Sequence, residues 1–381
     1  ASSTKKSTPV MVKAAPDKSS NTIGDDNIQE LNGNVKTVAL TGGAGQIAYS
    51  LIPHICNGAI FGSSTLIKLH ILDIPQAVDS LRGVKMEIQD SGLPLVVDIV
   101  TTTDPTVAFK DADVAILVGG FPRKKGMERK DMIEKNADIM KMHGEAIQAV
   151  GSSDVKILVV ANPANTNALM ISKFAPKVPA KNITCLTRLD HDRLHGLLVE
   201  KIKEQGVEGS GNVTLDQVRN GIIWGNHSAT QYPDYRGCEV QIGGTWKKVA
   251  DLITDGAWLS GGLTPLVQKR GAEIINARKL SSAMSAASAI KNHLRDWLFD
   301  TPEGVHVSMG VMSDGNPYGI EEGLMFSFPV RCRGGEWEFV SGFTDLNQEM
   351  INSTAAELKE ERALAGEILG QDFSVNPASI G

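Results

Sequence analysis

The sequence predicts an α/β protein in which a doubly wound parallel sheet is followed by a C-terminal α+β domain. Through the first half of the chain, short apolar runs alternate with helical patterns, which is typical of parallel βαβ units. A glycine-rich turn separates the first apolar run from the first helical pattern. After about residue 190 the alternation gives way to long helical stretches and turn-rich β pieces, which indicate a second kind of domain.

The elements follow from apolar runs and from helical spacing, taken in chain order. In the first half, the predicted strands are 35–40, 66–73, 97–103, 113–120 and 155–162. The predicted helices between them are 46–56, 77–89, 104–110 and 131–150. In the second half, the predicted helices are 191–205, 266–278, 281–298 and 345–368. The Asp-Gly and Pro-containing turns of MSDGNPYGI suggest hairpins there.

The composition is that of an ordinary globular protein. The chain has 381 residues, which suggests two domains or one large α/β unit, and 41% of the residues are hydrophobic and 22% are charged. A net charge of −6 argues against a nucleic-acid-binding surface. No apolar run reaches the ~18–20 residues of a membrane span, so no membrane partner is expected. The four cysteines are widely spaced without a metal-ligand pattern, so neither a metal site nor a disulfide framework is expected.

The ends of the chain differ from its middle. Residues 1–34 are polar and without apolar periodicity, which predicts a disordered extension, and 371–381 are predicted to be a tail. The N-terminus lacks the apolar core of a secretory signal. We therefore expect a cytoplasmic protein, with a mitochondrial or plastid location as the alternative if the Ser-, Thr- and Lys-rich start is a targeting remnant. The two predicted domains are 35–188 and 189–370.

The glycine turn reads TGGAGQIA, with Gly42, Gly45 and Ala48 spaced as G-x-x-G-x-x-A. Between a strand and a helix, such glycines let backbone amides approach a pyrophosphate at a helix N-terminus that favours negative charge. A tight turn without a ligand is the alternative. The pattern predicts a Rossmann-type dinucleotide-binding domain, with Gln46 and Ile47 beside the cofactor.

Asp73 ends the second predicted strand, in LHILDIP. A carboxylate there can accept hydrogen bonds from an adenosine ribose and would repel a 2′-phosphate. NAD is therefore expected as the cofactor, rather than NADP. A helix N-cap is the alternative for Asp73, but it does not explain the pairing with the glycine turn.

Six segments carry longer motifs. They are TGGAGQIAYSLIPHICNGAIFG, GGFPRKKGMERKD, ANPANTN, CLTRLDHDR, IIWGNHSATQYPD and KLSSAMSAA. Together they resemble the malate dehydrogenases of the cytosolic type, within the lactate/malate dehydrogenase superfamily, over roughly residues 35–370. The resemblance implies an NAD-dependent L-malate dehydrogenase that binds its cofactor first and forms a homodimer. The substrate would be a dicarboxylate, malate or oxaloacetate.

The resemblance also assigns catalytic roles. His227, in WGNHSAT, matches the proton acceptor, and Asp190 matches the carboxylate that orients it. Arg129 matches the residue that polarises the substrate oxygen. Arg193 is expected to grip the carboxylate at the reacting end, since a planar guanidinium suits a bidentate grip. A salt bridge within one helix is the alternative for Asp190 and Arg193, which are three residues apart.

The loop at 119–131 carries two arginines among several lysines and glycines. By the resemblance, Arg123 binds the distal carboxylate of the substrate. A monocarboxylate would leave this cation buried and unpaired, which is a physical reason to expect malate rather than lactate. The glycines would let the loop close and exclude water. A solvated basic loop is the alternative.

Further contacts are implied by the same resemblance. Asn136, His143, Val160 and Asn162 are expected on the cofactor side, and Asn162 and Ser281 beside the substrate. For Ser281, a hydroxyl that satisfies backbone amides at a helix start is a strong alternative. His143 stands where the family usually has glutamine, which could alter the cofactor contacts.

Two rival functions stay open at this stage. One is the oxidation of another 2-hydroxy acid, such as lactate, on the same scaffold. The other is a non-enzymatic NAD-binding or assembly protein that keeps a dehydrogenase body. The presence of Asp190, His227, Arg129 and Arg193 together argues against the second rival, because a protein without catalysis has no physical need for all four.

Overall fold

The computed structural model describes residues 34–121 and 127–373. The predicted extension and tail therefore lie outside the described residues, except for Asn34 and residues 371–373. Phe373 is buried, and the Lys173 ammonium lies 5.7 Å from the centre of its ring. The first residues of the predicted tail are thus packed against the body of the protein.

Strands and helices alternate through the first half of the described chain. The strands are β1 (Val35–Thr41), β2 (Leu66–Leu72), β3 (Val96–Thr102), β4 (Val114–Leu117), β5 (Lys156–Val159) and β6 (Ile183–Cys185). The helices are α1 (Gln46–Cys56), α2 (Val78–Asp90), α3 (Pro105–Ala108), α4 (Arg129–Val150), α5 (Ala164–Phe174) and α6 (Arg188–Glu204).

The second half mixes short strands with long helices. The strands are β7 (Val218–Arg219), β8 (Ile222–Trp224), β9 (Tyr232–Asp234), β10 (Glu239–Ile242), β11 (Thr245–Lys248), β12 (Val307–Met312), β13 (Met325–Arg333) and β14 (Glu336–Phe339). The helices are α7 (Val249–Leu252), α8 (Leu263–Arg278), α9 (Met284–Leu298) and α10 (Gln348–Leu369).

Nine of the described strands form one sheet, in the order β14-β13-β12-β6-β5-β4-β1-β2-β3. Strands β1 to β6 run parallel in the order 3-2-1-4-5-6. This is the order of a doubly wound dinucleotide-binding sheet, so the predicted fold class is confirmed. The strand order reverses between β1 and β4, and a ligand crevice is expected outside their carboxyl ends.

The second half joins this sheet rather than standing apart from it. β12 pairs antiparallel with β6, and β13 and β14 continue from β12 in the same manner. Smaller sheets join β7, β10 and β11, and β8 with β9. The predicted α+β mixture of helices and short strands is therefore present, but the last strands of the second half extend the parallel sheet of the first half.

Both faces of the central sheet are covered. Val38 and Leu40 of β1 pack in one cluster with α1, α2 and α9, whereas Ala39 points to the other face, with α4 and α5. A third cluster lies between α6, β10 and α8. Ligands must therefore approach at the edge where the parallel strands end. Among the described residues no helix has both the length and the apolar character to cross a bilayer.

Most predicted elements lie within a few residues of the observed ones, and α1 spans the predicted residues. Residues 163–187 carry no predicted element, whereas the structure has α5 and β6 there. Helix α5 is buried along most of its length, so it lacks the one-sided apolar stripe by which a helix is recognised in sequence. β6 has three residues, too few for a periodic signal.

Candidate active site

The glycine turn after β1 meets the end of β4 at close range. Gly42 has φ +67°, a conformation that favours glycine, and a Cβ there would lie 2.8 Å from the Gly119 backbone. A Cβ on Gly119 would in turn lie 2.7 Å from the Gly42 nitrogen. Any side chain at either position would push the two strand ends apart, so both glycines are required by packing.

Helix α1 starts directly behind this turn. Gln46 is its first residue, and the amides of its first turn have no acceptor within the helix. No acidic side chain lies in that described first turn, so its partial positive charge is not opposed locally. Ala48 is fully buried, which lets α1 pack closely on the sheet. This is the role of the third small residue in a dinucleotide-binding turn.

Asp73 braces the glycine turn from the end of β2. Its Oδ2 accepts a hydrogen bond from the Ala44 amide at 2.8 Å, and its Oδ1 accepts one from the Ile74 amide at 2.8 Å. Helix α2 begins after Ala77, so Asp73 is not the N-cap of α2. The carboxylate is partly exposed and remains available to a ligand.

A groove of about 850 Å³ runs along these elements, and we call it the glycine groove. Seven of the residues expected to contact cofactor or substrate line it: Gly42, Gly45, Gln46, Ile47, Asp73, His143 and Ser281. Much of the remaining lining is aliphatic, aromatic or proline side chain: Leu72, Ile74, Pro75, Pro105, Val118, Phe121, Ile139, Met142 and Leu280. The groove thus combines exposed backbone, one carboxylate and an apolar wall, which suits a dinucleotide.

Two residues predicted on the cofactor side differ in environment. His143 lines the groove but is buried, and burial lowers its pKa to about 4, so its ring is neutral at pH 7. Its Nδ1 has no hydrogen-bond partner among the described residues. Asn136 is fully buried, accepts from the Phe121 amide at 2.9 Å and donates to the Met132 carbonyl at 2.8 Å. These bonds hold the chain after β4, and the cofactor contact of Asn136 stays a prediction.

Val160 and Asn162 follow β5 at the same edge of the sheet. The amides of Val160 and Ala161 both donate to the Leu117 carbonyl at the end of β4, at 2.9 and 3.0 Å. Asn162 is exposed just beyond, and its peptide bond to Pro163 is cis. The carboxyl ends of β1, β4 and β5 therefore bring Gly42, Gly119 and Asn162 to one edge.

A group of charged and polar side chains, the Asp190 cluster, consists of Asp190, Arg193, His227 and Ser282. Asp190 lies on α6 and is fully buried. Its Oδ1 accepts a hydrogen bond from Arg193 Nη1 at 2.9 Å, and its Oδ2 pairs with His227 Nδ1. The salt bridge within α6 and the contact with His227, which were alternatives in the sequence, are present together.

The charges in the cluster support one another. Burial alone would lower the pKa of His227, but the Asp190 carboxylate outweighs it and raises the pKa above 6.5. Burial would likewise raise the pKa of Asp190, but His227 and Arg193 together hold it below its usual value. The His227 side chain is 18% exposed, and its Nδ1 is engaged by Asp190. Nε2 is thus the ring nitrogen left to exchange a proton with a ligand.

The cluster adjoins the glycine groove. Arg193 Nη2 donates to Ser282 Oγ at 3.1 Å, and the preceding residue, Ser281, lines the groove. The Nε of Arg193 is buried without a hydrogen-bond partner among the described residues. The glycine groove, which suits a dinucleotide, and the imidazole of His227, which can exchange a proton, thus lie next to each other. No three or more His, Cys, Asp or Glu side chains of the described chain form a group that could hold a metal.

The loop at 119–131, which carries Arg123 and Arg129, is described only in part. Arg123 lies outside the described residues, and so does the side chain of Arg129, whose backbone opens α4. Glu128 and Asp131 form a capping box there, with the Glu128 amide donating to Asp131 at 3.0 Å. The roles expected for both arginines stay predictions.

Sequence reasoning missed the side chains that hold the loop of His227. The His227 amide donates to Asn165 Oδ1 at 2.9 Å, and Asn165 Nδ2 donates to the carbonyls of Gly225 and Met325. Asn165 lies on α5, to which no element had been assigned. The signal in the sequence was the run Asn-Thr-Asn inside an otherwise apolar stretch, because buried polar residues need specific partners.

Comparison with known proteins covers nearly all of the described chain. A family model described as lactate/malate dehydrogenase, NAD binding domain, matches residues 36–184. A second, described as lactate/malate dehydrogenase, alpha/beta C-terminal domain, matches residues 187–367. The cytoplasmic malate dehydrogenase of Beta vulgaris is 50% identical over 330 residues, which is 86% of this chain and 96% of that protein. The human cytoplasmic enzyme is 49% identical, over 87% of this chain and 97% of that protein.

Solved structures agree with the sequence relatives. Malate dehydrogenase from Naegleria fowleri aligns with a TM-score of 0.80 at 41% identity, covering 88% of this chain and 98% of that chain. The Trichomonas vaginalis lactate dehydrogenase in complex with NADH and oxamate aligns with a TM-score of 0.81 at 33% identity, covering 88% and 99%. The fold is therefore shared with proteins named for two different hydroxy acids.

Proposed function

The chain belongs to the lactate/malate dehydrogenase family, and from that premise we propose that it is an NAD-dependent L-malate dehydrogenase. The reaction is the reversible interconversion of malate and oxaloacetate. The resemblance found in the sequence motifs is confirmed by relatives at about 50% identity over 86% of the chain. The observation that carries the reaction is the pairing of His227 with a buried Asp190 beside the glycine groove.

The chain's own residues fit the cofactor. The close approach of Gly42 to Gly119 leaves backbone exposed where a pyrophosphate would lie, and the start of α1 supplies amides. Asp73 lines the same groove, and a carboxylate at this point favours a ribose hydroxyl over a 2′-phosphate. Bound there, NAD would supply the chemistry of hydride transfer at the hydroxyl-bearing carbon of malate.

His227 is the proton acceptor in this proposal. Its Nδ1 is held by Asp190, so Nε2 takes the hydroxyl proton of malate as the hydride leaves. The imidazolium that forms is stabilised by the Asp190 carboxylate, which also fixes the ring orientation. In the reverse direction the same nitrogen returns the proton to the oxygen of oxaloacetate.

Three arginines hold the diacid. Arg193 grips the carboxylate at the reacting end, while Asp190 and Ser282 fix two of its guanidinium nitrogens. Arg129 polarises the reacting oxygen, and Arg123 binds the distal carboxylate. A substrate with one carboxylate would leave Arg123 without a counter-ion, which typically costs several kcal/mol in a closed site. Asn162 and Ser281 complete the proposed substrate contacts.

The remaining assignments are proposed on the same basis. We propose a cofactor domain at 35–188, a substrate domain at 189–370, and a homodimer. Exposed apolar side chains support the dimer, with Tyr49 52% and Met284 77% exposed on α1 and α9. Light scattering of the purified protein would test it. Relatives named cytoplasmic support a cytoplasmic location, and cell fractionation would decide between it and an organelle.

One comparative assay tests the function. NADH and NADPH oxidation would be measured with oxaloacetate, pyruvate and 2-oxoglutarate side by side. We expect the highest kcat/KM for oxaloacetate with NADH. An equal kcat/KM with pyruvate would favour the lactate rival. A folded protein that binds NADH but turns over none of the three acids would favour the non-enzymatic rival.

A further inference from the structure

A buried carboxylate outside the Asp190 cluster joins two segments of the proposed site. Glu361 lies on the C-terminal helix α10 and is 2% exposed. One of its oxygens pairs with the Thr166 hydroxyl of α5, and the other accepts from Asn226 Nδ2 at 2.8 Å. The Glu361 side chain thus joins the segment of Thr166 to the segment of Asn226, 60 residues further along the chain. The bond from Asn165 Nδ2 to the Gly225 carbonyl joins the same two segments.

Both bonded residues stand next to proposed site residues. Thr166 lies in the first turn of α5, just after Asn162 at the end of β5. Asn226 directly precedes His227 in the loop that follows β8. Glu361 therefore links the segment of Asn162 to the segment of His227.

Other residues of α10 fix the same loop. The Asn226 amide donates to Thr354 Oγ1 at 2.8 Å, and Asn226 Nδ2 also donates to Glu357 Oε2 at 2.8 Å. Gly225 has φ +90°, and a Cβ there would lie 2.2 Å from the Thr354 side chain. The backbone beside His227 therefore lies directly against Thr354 and Glu357 of α10.

We propose that Glu361 is a positioning residue, which holds the His227 loop and the Asn162 segment at a fixed separation. The proposal rests on the function proposed above, because the separation matters only if both segments serve one reaction. A displacement of about 1 Å at a reacting group can lower a rate about a hundredfold. Thr166 and Asn226, to which Glu361 is bonded, are not among the proposed substrate or cofactor contacts, so we expect its effect in turnover rather than in binding.

The chemistry of the two bonds explains why a carboxylate serves here. Thr166 and Asn226 both present donors, and a carboxylate can accept from both at once. An apolar side chain would avoid the desolvation of a buried charge but would leave both donors without this acceptor. Glutamine can keep both contacts, because its oxygen accepts from Asn226 while its amide donates to the Thr166 oxygen, which reverses the direction of that bond.

The test compares three variants. Glu361→Ala removes both bonds, Glu361→Gln keeps them, and Glu360→Ala removes an exposed carboxylate from the same helix as the control. For oxaloacetate reduction we expect kcat to fall about ten- to a hundredfold in Glu361→Ala, with the Kd for NADH within about twofold. Glu361→Gln should recover most of kcat, and Glu360→Ala should match the wild type. A folded Glu361→Ala protein with wild-type kcat would overturn the proposal.

A fourth variant covers the case in which Glu361→Ala does not fold. Thr166→Val keeps the side-chain shape and removes one end of the link. We expect a drop in kcat of about fivefold or more at an unchanged Kd for NADH. An unchanged kcat in the folded Thr166→Val protein would overturn the proposal as well.

A spectroscopic readout separates this proposal from the proposed function. Among the described residues, Asp190 and Arg193 are the charged groups that shift the pKa of His227. The titration of the His227 ring can be followed by NMR. Loosening the loop weakens the pairing with Asp190, so the titration midpoint should fall in Glu361→Ala but not in Glu360→Ala. A wild-type protein inactive on oxaloacetate would end the proposed function, whereas an unmoved midpoint in folded Glu361→Ala would end the positioning role.

Discussion

Asp190, Arg193 and His227 form a cluster of charged or titratable side chains that are between 0% and 18% exposed. The glycine groove beside it is built from backbone and aliphatic side chains, with Asp73 as the carboxylate in its lining. The cluster depends on paired charges. Removing one partner leaves the other charge buried and unpaired, which is costly in free energy. The groove depends on shape, because the backbones of Gly42 and Gly119 lie too close together for a Cβ on either residue.

This difference assigns separate tasks to the two regions. Substitutions in the cluster should change the rate of the chemical step and leave cofactor affinity nearly constant. Substitutions in the groove should change cofactor affinity or choice and leave the rate at saturation nearly constant. The five predictions below test whether this separation holds, in order of decreasing effect.

The largest effect is expected from Asp190→Asn. The change removes the charge that raises the pKa of His227 and can turn the ring to the wrong tautomer. We expect kcat for oxaloacetate reduction to fall by about three to four orders of magnitude, while the Kd for NADH stays within about threefold. The exposed Asp251→Asn variant serves as the control. A parallel loss of NADH affinity would break the proposed separation.

The pH dependence of malate oxidation is the second test. Oxidation needs a neutral imidazole, and the pKa of His227 is raised above 6.5 because Asp190 outweighs burial. The rate of oxidation should therefore fall about tenfold per pH unit below that raised pKa and level off above it. In Asp190→Asn the midpoint should move down. Steady-state kcat/KM for malate from pH 5.5 to about 9.5 measures both, and a flat profile would remove His227 as the base.

The two regions also differ in how much of their structure could be predicted from the sequence. The turn at Gly42 and the acid at Asp73 are each recognised from their own stretch of sequence, so these two parts of the groove could be predicted without the family resemblance. The pairing of Asp190 with His227 spans 37 residues and came only from the family resemblance. The bond between Asn226 and Glu361 spans 135 residues, and nothing local points to it. Helix α5 was missed because it is buried along most of its length.

Gly42→Ala is the strongest expected test of the groove. The Cβ would lie 2.8 Å from the Gly119 backbone and would force φ +67° on a non-glycine residue. We expect NADH affinity to fall at least about tenfold and stability to fall by about 1–3 kcal/mol, with kcat at saturating NADH within about threefold. Gly92→Ala is the matched control, since Gly92 has φ +56° and nothing within 4 Å of its Cβ position. Fluorescence titration and thermal unfolding measure the two quantities, and equal losses in both variants would refute the packing argument.

Asp73→Ser should change the choice of cofactor. The change removes the negative charge that would repel a 2′-phosphate, together with the carboxylate oxygen that accepts from the Ala44 amide. We expect the ratio of kcat/KM for NADPH to that for NADH to rise about tenfold, mostly through KM. Asp79→Ser, on the exposed start of α2, is the control. An unchanged ratio would show that groups other than Asp73 set the selectivity.

The smallest effect is expected from His143→Gln, which introduces the residue usual in the family. His143 lines the groove, yet burial lowers its pKa to about 4, so it carries no charge at pH 7. If the groove recognises its ligand by shape, exchanging one neutral polar side chain for another should change the Kd for NADH by less than about threefold. Near pH 4 the wild-type imidazole becomes charged and the glutamine does not, so the Kd values of the two proteins should differ in acid and agree at neutral pH. A loss of tenfold or more at pH 7 would show that His143 makes a specific polar contact, and the groove would then share the chemistry of the Asp190 cluster.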